Sequence, residues 1–161
     1  MEHPQEKFMQ EAIKEAKSSA SLGQYALGAV VVNENGEILA VEHTTLHEHN
    51  DPTCHAEVNA IRSACKKIES RYLPGYWLYT TLEPCPMCTS AAIWAKMSGI
   101  VFGASKEDAQ EFGKGLEDRK FTWRQIDVSS KDIIEKGDPK ISLVEKFMQK
   151  ECRQLFDFAK N

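Results

Sequence analysis

"TLEPCPMCTSAAIWAK", residues 81–96, sets Cys85 and Cys88 at CxxC spacing, with Pro84 and Pro86 around the first cysteine and a mostly apolar run after the second. Proline is tolerated in the first turn of a helix, so the two prolines predict a helix start at the cysteines, continuing buried through Met97. The stretch "YWLYTTL" (76–82) just upstream is β-rich, and "GIVFGA" (99–104) just downstream is a second short strand. Strand, helix and strand in this order imply parallel pairing with a helical crossover, hence an α/β fold. Taken alone, the CxxC has three readings: a redox dithiol, half of a structural zinc knuckle, or half of a catalytic metal site.

Working outward, "EKFMQEAIKEAKSSA" (6–20) carries Phe8, Met9, Ala12, Ile13, Ala16 and Ala20 at helical spacing and predicts an amphipathic first helix that Gly23 ends. "GAVVV" (28–32) and "EILAVE" (37–42) flank the turn signal "NENG" and predict a hairpin. "HTTLHEHNDPT" (43–53) is polar and aperiodic, a loop. From Ala56 the positions Ala60, Ile61, Ala64, Cys65 and Ile68 mark a helix that begins beside His55. The charged, Gly-punctuated run 105–121 predicts a loop or weak helix, and "RQIDV" (124–128) a last strand. From Ile141 onward, Val144, Phe147, Met148, Cys152, Leu155, Phe156 and Ala159 lie on one helical stripe, predicting a C-terminal helix over about 141–159.

The chain has 161 residues, 42% hydrophobic and 27% charged, which suits one compact domain spanning 1–161. With 20 basic and 24 acidic residues, its net charge of -4 gives no global attraction to a polyanion. No apolar run is long enough to cross a bilayer, and the first residues lack the pattern of a signal peptide. Five cysteines without framework spacing point to reduced thiols and a cytoplasmic setting.

His55, Cys85 and Cys88 are the residue types that zinc accepts. Three protein ligands with an open fourth position is the catalytic pattern, whereas structural sites are closed by four. Helix N-termini favour thiolates through their free N–H groups and positive dipole end. Glu57, two residues after His55, projects from the first turn of the same predicted helix and suits a proton shuttle. Zinc lowers the pKa of a bound water from about 15.7 to about 7. A neighbouring carboxylate can take that proton and deliver it to a leaving amine. A redox pair would not need the upstream His and Glu, and a knuckle would need a fourth ligand. Cys54 is unsuited to that role because adjacent residues rarely reach one metal. His43, His47 and His49 are loop histidines that suit solvent or substrate better than a second metal.

An HxE followed by PCxxC is the signature of zinc-dependent nucleobase deaminases. Here the two halves stand as "HAEVNAIR" (55–62) and "TLEPCPMC" (81–88). The sequence resembles the cytidine-deaminase-like superfamily, in the branch with guanine deaminases, fungal-type cytosine deaminases and tRNA adenosine deaminases. The resemblance implies a three-layer α/β/α fold with a five-stranded mixed sheet, usually a homodimer. It implies one Zn2+ per subunit on His55, Cys85 and Cys88, with Glu57 as the catalytic proton shuttle. The water that zinc acidifies would attack the amino-bearing ring carbon, and ammonia would leave. It further implies that the backbone at Ala56 and at Pro84 lines the pocket. The C-terminal helix would act as a lid, in some relatives exchanged between subunits.

Two departures bear on the substrate. Where relatives carry an Asn that hydrogen-bonds base or ribose, this chain has Thr44, and the Asp of the tRNA-specific type is absent at Ser105 and Lys106. Asp118, in "GLEDRK", stands where guanine-type relatives place base-contacting acids. These features predict a small-molecule nucleobase or nucleoside as substrate, guanine-like, with tRNA unlikely. The alternatives are tRNA adenosine deamination, cytosine deamination, or an inactive zinc-stabilised binding module.

Overall fold

A computed structural model of the chain describes residues 1–115 and 126–160. In chain order the elements are α1 (Glu6–Ser21), β1 (Gly28–Val32), β2 (Ile38–His43), a short α2 (Leu46–His49), α3 (Ala56–Lys67), β3 (Trp77–Leu82), α4 (Pro86–Trp94), β4 (Gly99–Ala104), α5 (Lys106–Lys114), α6 (Ser130–Lys136), β5 (Ser142–Val144) and α7 (Gln149–Gln154), closed by a 3-10 turn, Leu155–Lys160. The five strands form one sheet in the order β2-β1-β3-β4-β5. β1 pairs antiparallel with β2 and β3, while β3/β4 and β4/β5 are parallel. The sheet is mixed, as expected.

Strand alternation sends side chains to two cores. On one face Ala29, Val31, Leu78 and Ile100 pack with Ala60, Ile61, Ala92 and Ile134 of α3, α4 and α6. On the other, Val30, Val32, Tyr79 and Val101 meet Phe8, Met9 and Ala12 of α1, Ala109 of α5 and Cys152 of α7. Helices on both faces make the three α/β/α layers. α1 lies so close on β1 that a Cβ on Gly28 would come within 2.1 Å of the Ala12 carbonyl oxygen. The hairpin turn is organised by Asn33, whose Oδ1 accepts from the N–H groups of Asn35 and Glu37. Gly36 supplies the required positive φ of 81°.

Three expectations change. The stripe over 141–159 is not one helix: Ser142–Val144 forms β5, Lys146 and Met148 adopt positive φ, and only then does α7 begin. Two faces explain this. In a strand, Ile141 and Leu143 reach the α3/α4 core while Val144 reaches the α1 core, and the edge of β4 gains a parallel partner. Next, Ile126–Val128 of "RQIDV" are not in a strand; the last sheet position goes to β5. Finally, the polar stretch 43–53, expected to be a loop, contains the short helix α2, which Asn50 ends in left-handed backbone at φ 49°. α6 is capped by the Ser129 hydroxyl accepting from the Asp132 N–H. Asp118, Phe121 and Trp123 lie outside the described residues. No helix among the described residues is long and apolar enough to cross a membrane.

Candidate metal centre

Two helix starts meet near the C-terminal end of β3. His55 is the N-cap of α3 and Cys85 the N-cap of α4, both in extended backbone, and neither side chain caps its helix by a hydrogen bond. The prolines Pro84 and Pro86 fix this geometry, with Pro86 opening α4 where no N–H is needed. Cys88 follows on the first turn. The Nδ1 of His55 stands 3.7 Å from the Cys85 sulfur and 3.5 Å from the Cys88 sulfur, and the sulfurs are 3.6 Å apart. Zinc bonds of about 2.3 Å to sulfur and about 2.0–2.1 Å to nitrogen, set tetrahedrally, require donor separations of about 3.5–3.8 Å. The triangle therefore fits one face of a zinc tetrahedron. Among the described residues this is the one group of His, Cys, Asp or Glu side chains spaced to hold a metal.

The charges point the same way. Without metal, the S–H of Cys88 supports a Cys85 thiolate against the cost of burial, with help from His55, and brings the Cys85 thiol down to about 4. Cys88 moves well above its ordinary value because it gives that hydrogen bond, is buried, and faces Glu57. Two thiolates and a carboxylate cannot all be charged here without a cation among them. A divalent, thiolate-binding ion answers that need.

Glu57 is 7% exposed on the first turn of α3. Its Oε1 accepts from the Thr80 hydroxyl at 3.2 Å and its Oε2 lies 3.6 Å from the Cys88 sulfur. Burial raises its carboxyl above the ordinary range, against the pull of His55, as suits a group that takes and returns a proton. Its position keeps it beside the donor triangle and outside it.

The other predicted residues are partly gathered. Ala56 and Pro84 are buried next to their ligands, and the Pro84 carbonyl accepts from the Thr89 hydroxyl at 3.2 Å. Thr44 is fully buried and gives its hydroxyl proton to the Cys54 carbonyl at 3.3 Å, so it braces the approach to His55. The three histidines have separate partners: His43 bonds Glu15, the His47 ring lies tilted against Tyr25, and His49 sits beside Glu48. Sequence reasoning missed Thr80 and Glu83. Thr80 had a signal, being a polar side chain on the same face as core residue Leu78. Glu83 had none, since its carboxylate meets Lys106 and Ser130, 23 and 47 residues away in sequence.

The comparisons with known proteins agree with this geometry. The chain is 41% identical to the tRNA-specific adenosine deaminase of Aquifex aeolicus over 62% of its own length, though the match spans only 65% of that protein. It is 37% identical to the guanine deaminase of Bacillus subtilis over 76% of each chain. A solved structure from work on A-to-I editing by tRNA:A34 deaminases superposes with a TM-score of 0.73 at 27% identity, covering 94% of this chain and 99% of that one. The expectation that tRNA is unlikely therefore loses its support, because relatives named for tRNA stand as near as one named for guanine. The family model for the cytidine and deoxycytidylate deaminase zinc-binding region matches residues 2–104, well over half of the chain, and the chain belongs to that zinc-binding deaminase family.

Proposed function

We propose that this chain is a hydrolytic deaminase, with His55, Cys85 and Cys88 holding one zinc ion and Glu57 shuttling protons. The observation that carries this reading is the buried Glu57 carboxylate, 3.6 Å from Cys88 and beside a three-donor triangle that leaves one coordination direction open. When bound, zinc supplies a Lewis acid that brings the pKa of water toward about 7. Glu57 takes one proton from the water that adds to the amino-bearing ring carbon. It gives that proton to the adjacent ring nitrogen and then carries the added hydroxyl's proton to the leaving nitrogen; the C–N bond breaks, and the products are a ring carbonyl beside a ring N–H, and ammonia. Thr80 orients the carboxylate through Oε1 for both transfers.

The substrate we favour is a free base or small aminated heterocycle of guanine type. The guanine deaminase relative supports it, and so does the net charge of -4, which gives no general attraction for a polyanion. A second reading, deamination of adenosine in tRNA, is supported by the Aquifex relative. We place the protein in the cytoplasm, as one domain and a homodimer. Zinc-loaded protein should release ammonia from a member of a panel of guanine, adenine, cytosine, their nucleosides and aminopurines. Inosine formation on an anticodon stem-loop with a blank panel would transfer the assignment to tRNA. Silence on both substrates would remove the deaminase reading.

A further inference from the structure

We infer that Glu83 is a positioning residue that fixes the metal-ligand loop by gripping the N-termini of two helices at once; the inference rests on the zinc reading above. Glu83 is the residue between the end of β3 and Pro84-Cys85, and it is 5% exposed. Its Oε2 accepts from the backbone N–H of Lys106, the first residue of α5, at 2.7 Å. Its Oε1 accepts from the backbone N–H of Ser130, the first residue of α6, at 2.9 Å, and from the Ser130 hydroxyl at 3.2 Å. Its own N–H donates to the Ala104 carbonyl at 2.7 Å, extending the β3/β4 ladder by one residue.

The chemistry of the loop makes this grip consequential. Pro84 and Pro86 have no N–H, so the backbone on either side of Cys85 cannot be tied down by donors of its own. Among the described contacts, side chains at both ends brace the Cys85 loop. Downstream, Thr89 bonds back through its hydroxyl to the Pro84 carbonyl at 3.2 Å and through its N–H to the Cys85 carbonyl at 2.9 Å. Upstream, Glu83 supplies the anchor. A carboxylate is the side chain suited to the task, because it accepts on both oxygens and its charge complements two helix N-termini. Groups that orient metal ligands from behind are worth about 10–100-fold in metal affinity when removed.

The test is E83Q in the zinc-loaded full chain, read by zinc release to a competing chelator and by the absorption spectrum of the cobalt-substituted protein. Glutamine keeps the shape but turns an NH2 toward one of the N–H donors, so one end of the grip opens. The expected result is zinc affinity weakened about 10–100-fold with shifted cobalt bands. Ser129→Ala is the control: it removes the α6 cap, which the Asp132 N–H feeds at 3.0 Å, without touching Glu83. It should lower thermal stability and leave zinc release and the cobalt spectrum as in the wild type. E83Q behaving like Ser129→Ala would overturn the inference. Should E83Q fail to fold, Ser130→Ala, which removes one of the described bonds to Glu83, decides in its place: faster zinc release supports the role, and wild-type release refutes it. A wild-type chain that takes up no zinc would fail the ligand reading itself, a distinct result.

Discussion

The Glu57 carboxylate and the Cys88 sulfur lie 3.6 Å apart, both buried, one from the first turn of α3 and the other from the first turn of α4. Two helices with different origins in the chain thus bring an acid and a metal donor to one point. The acid is held from behind by Thr80 of β3. A carboxylate so placed has little structural reason to be charged, and burial pushes its carboxyl upward.

Replacing it separates binding from chemistry. Glu57→Ala should keep zinc, because the donor triangle does not include it, and should lower ammonia release by about two orders of magnitude or more. Metal content and turnover on the same preparation check this. Unchanged turnover would show that another group carries the proton.

His55→Ala should have the opposite signature. It deletes one corner of a triangle with sides of 3.5–3.7 Å, leaving two sulfurs that compete for one proton. Zinc content should fall from about one per chain to below about a tenth, with activity lost in parallel. Elemental analysis at full occupancy would contradict the ligand set.

How far the sequence could be read depended on where the partners lie. His55, Glu57, Cys85 and Cys88 were legible because fixed short spacings bring each pair onto one helix start. Apart from α2, which lies in a polar, aperiodic stretch, the helices and strands from α1 to β4 follow from patterns that each segment carries locally. The C-terminal stripe misled because Ile141, Val144, Phe147 and Met148 satisfy helical spacing, while the choice was made by an unpaired edge of β4. Glu83 was invisible for the same reason: a carboxylate before Pro-Cys has no local sign of the two helices it will hold.

Gly28→Ala tests the layer contact that sets α1 on the sheet. The added methyl would sit 2.1 Å from the Ala12 carbonyl oxygen and 2.8 Å from the Ala16 nitrogen, both backbone atoms that cannot rotate aside. α1 must then lift off β1, which starts at Gly28 and is buried throughout. The expected loss is about 1–3 kcal/mol or more in urea unfolding. A neutral result would mean that α1 slides on the sheet without cost.

Asp108 ties α5 to α7 and gives the stability a specific pH dependence. Its Oδ2 accepts from the Ser105 N–H at 2.8 Å and from the Gln149 amide at 2.7 Å, and Arg153 approaches its Oδ1 at 3.4 Å. Burial works to raise this carboxyl, but these bonds together outweigh it and hold the group below its ordinary value of 3.8. A depressed carboxyl stabilises the fold wherever pH exceeds the unfolded value, and the contribution disappears as pH falls through the lower, folded value. Asp108→Asn should therefore cost about 1–2 kcal/mol at neutral pH. The gap to wild type should persist down to about pH 5 and close progressively below about pH 4. Urea unfolding across that range measures it directly. A gap of constant size would show that Asp108 acts through shape alone, with its charge playing no part in joining the two helices.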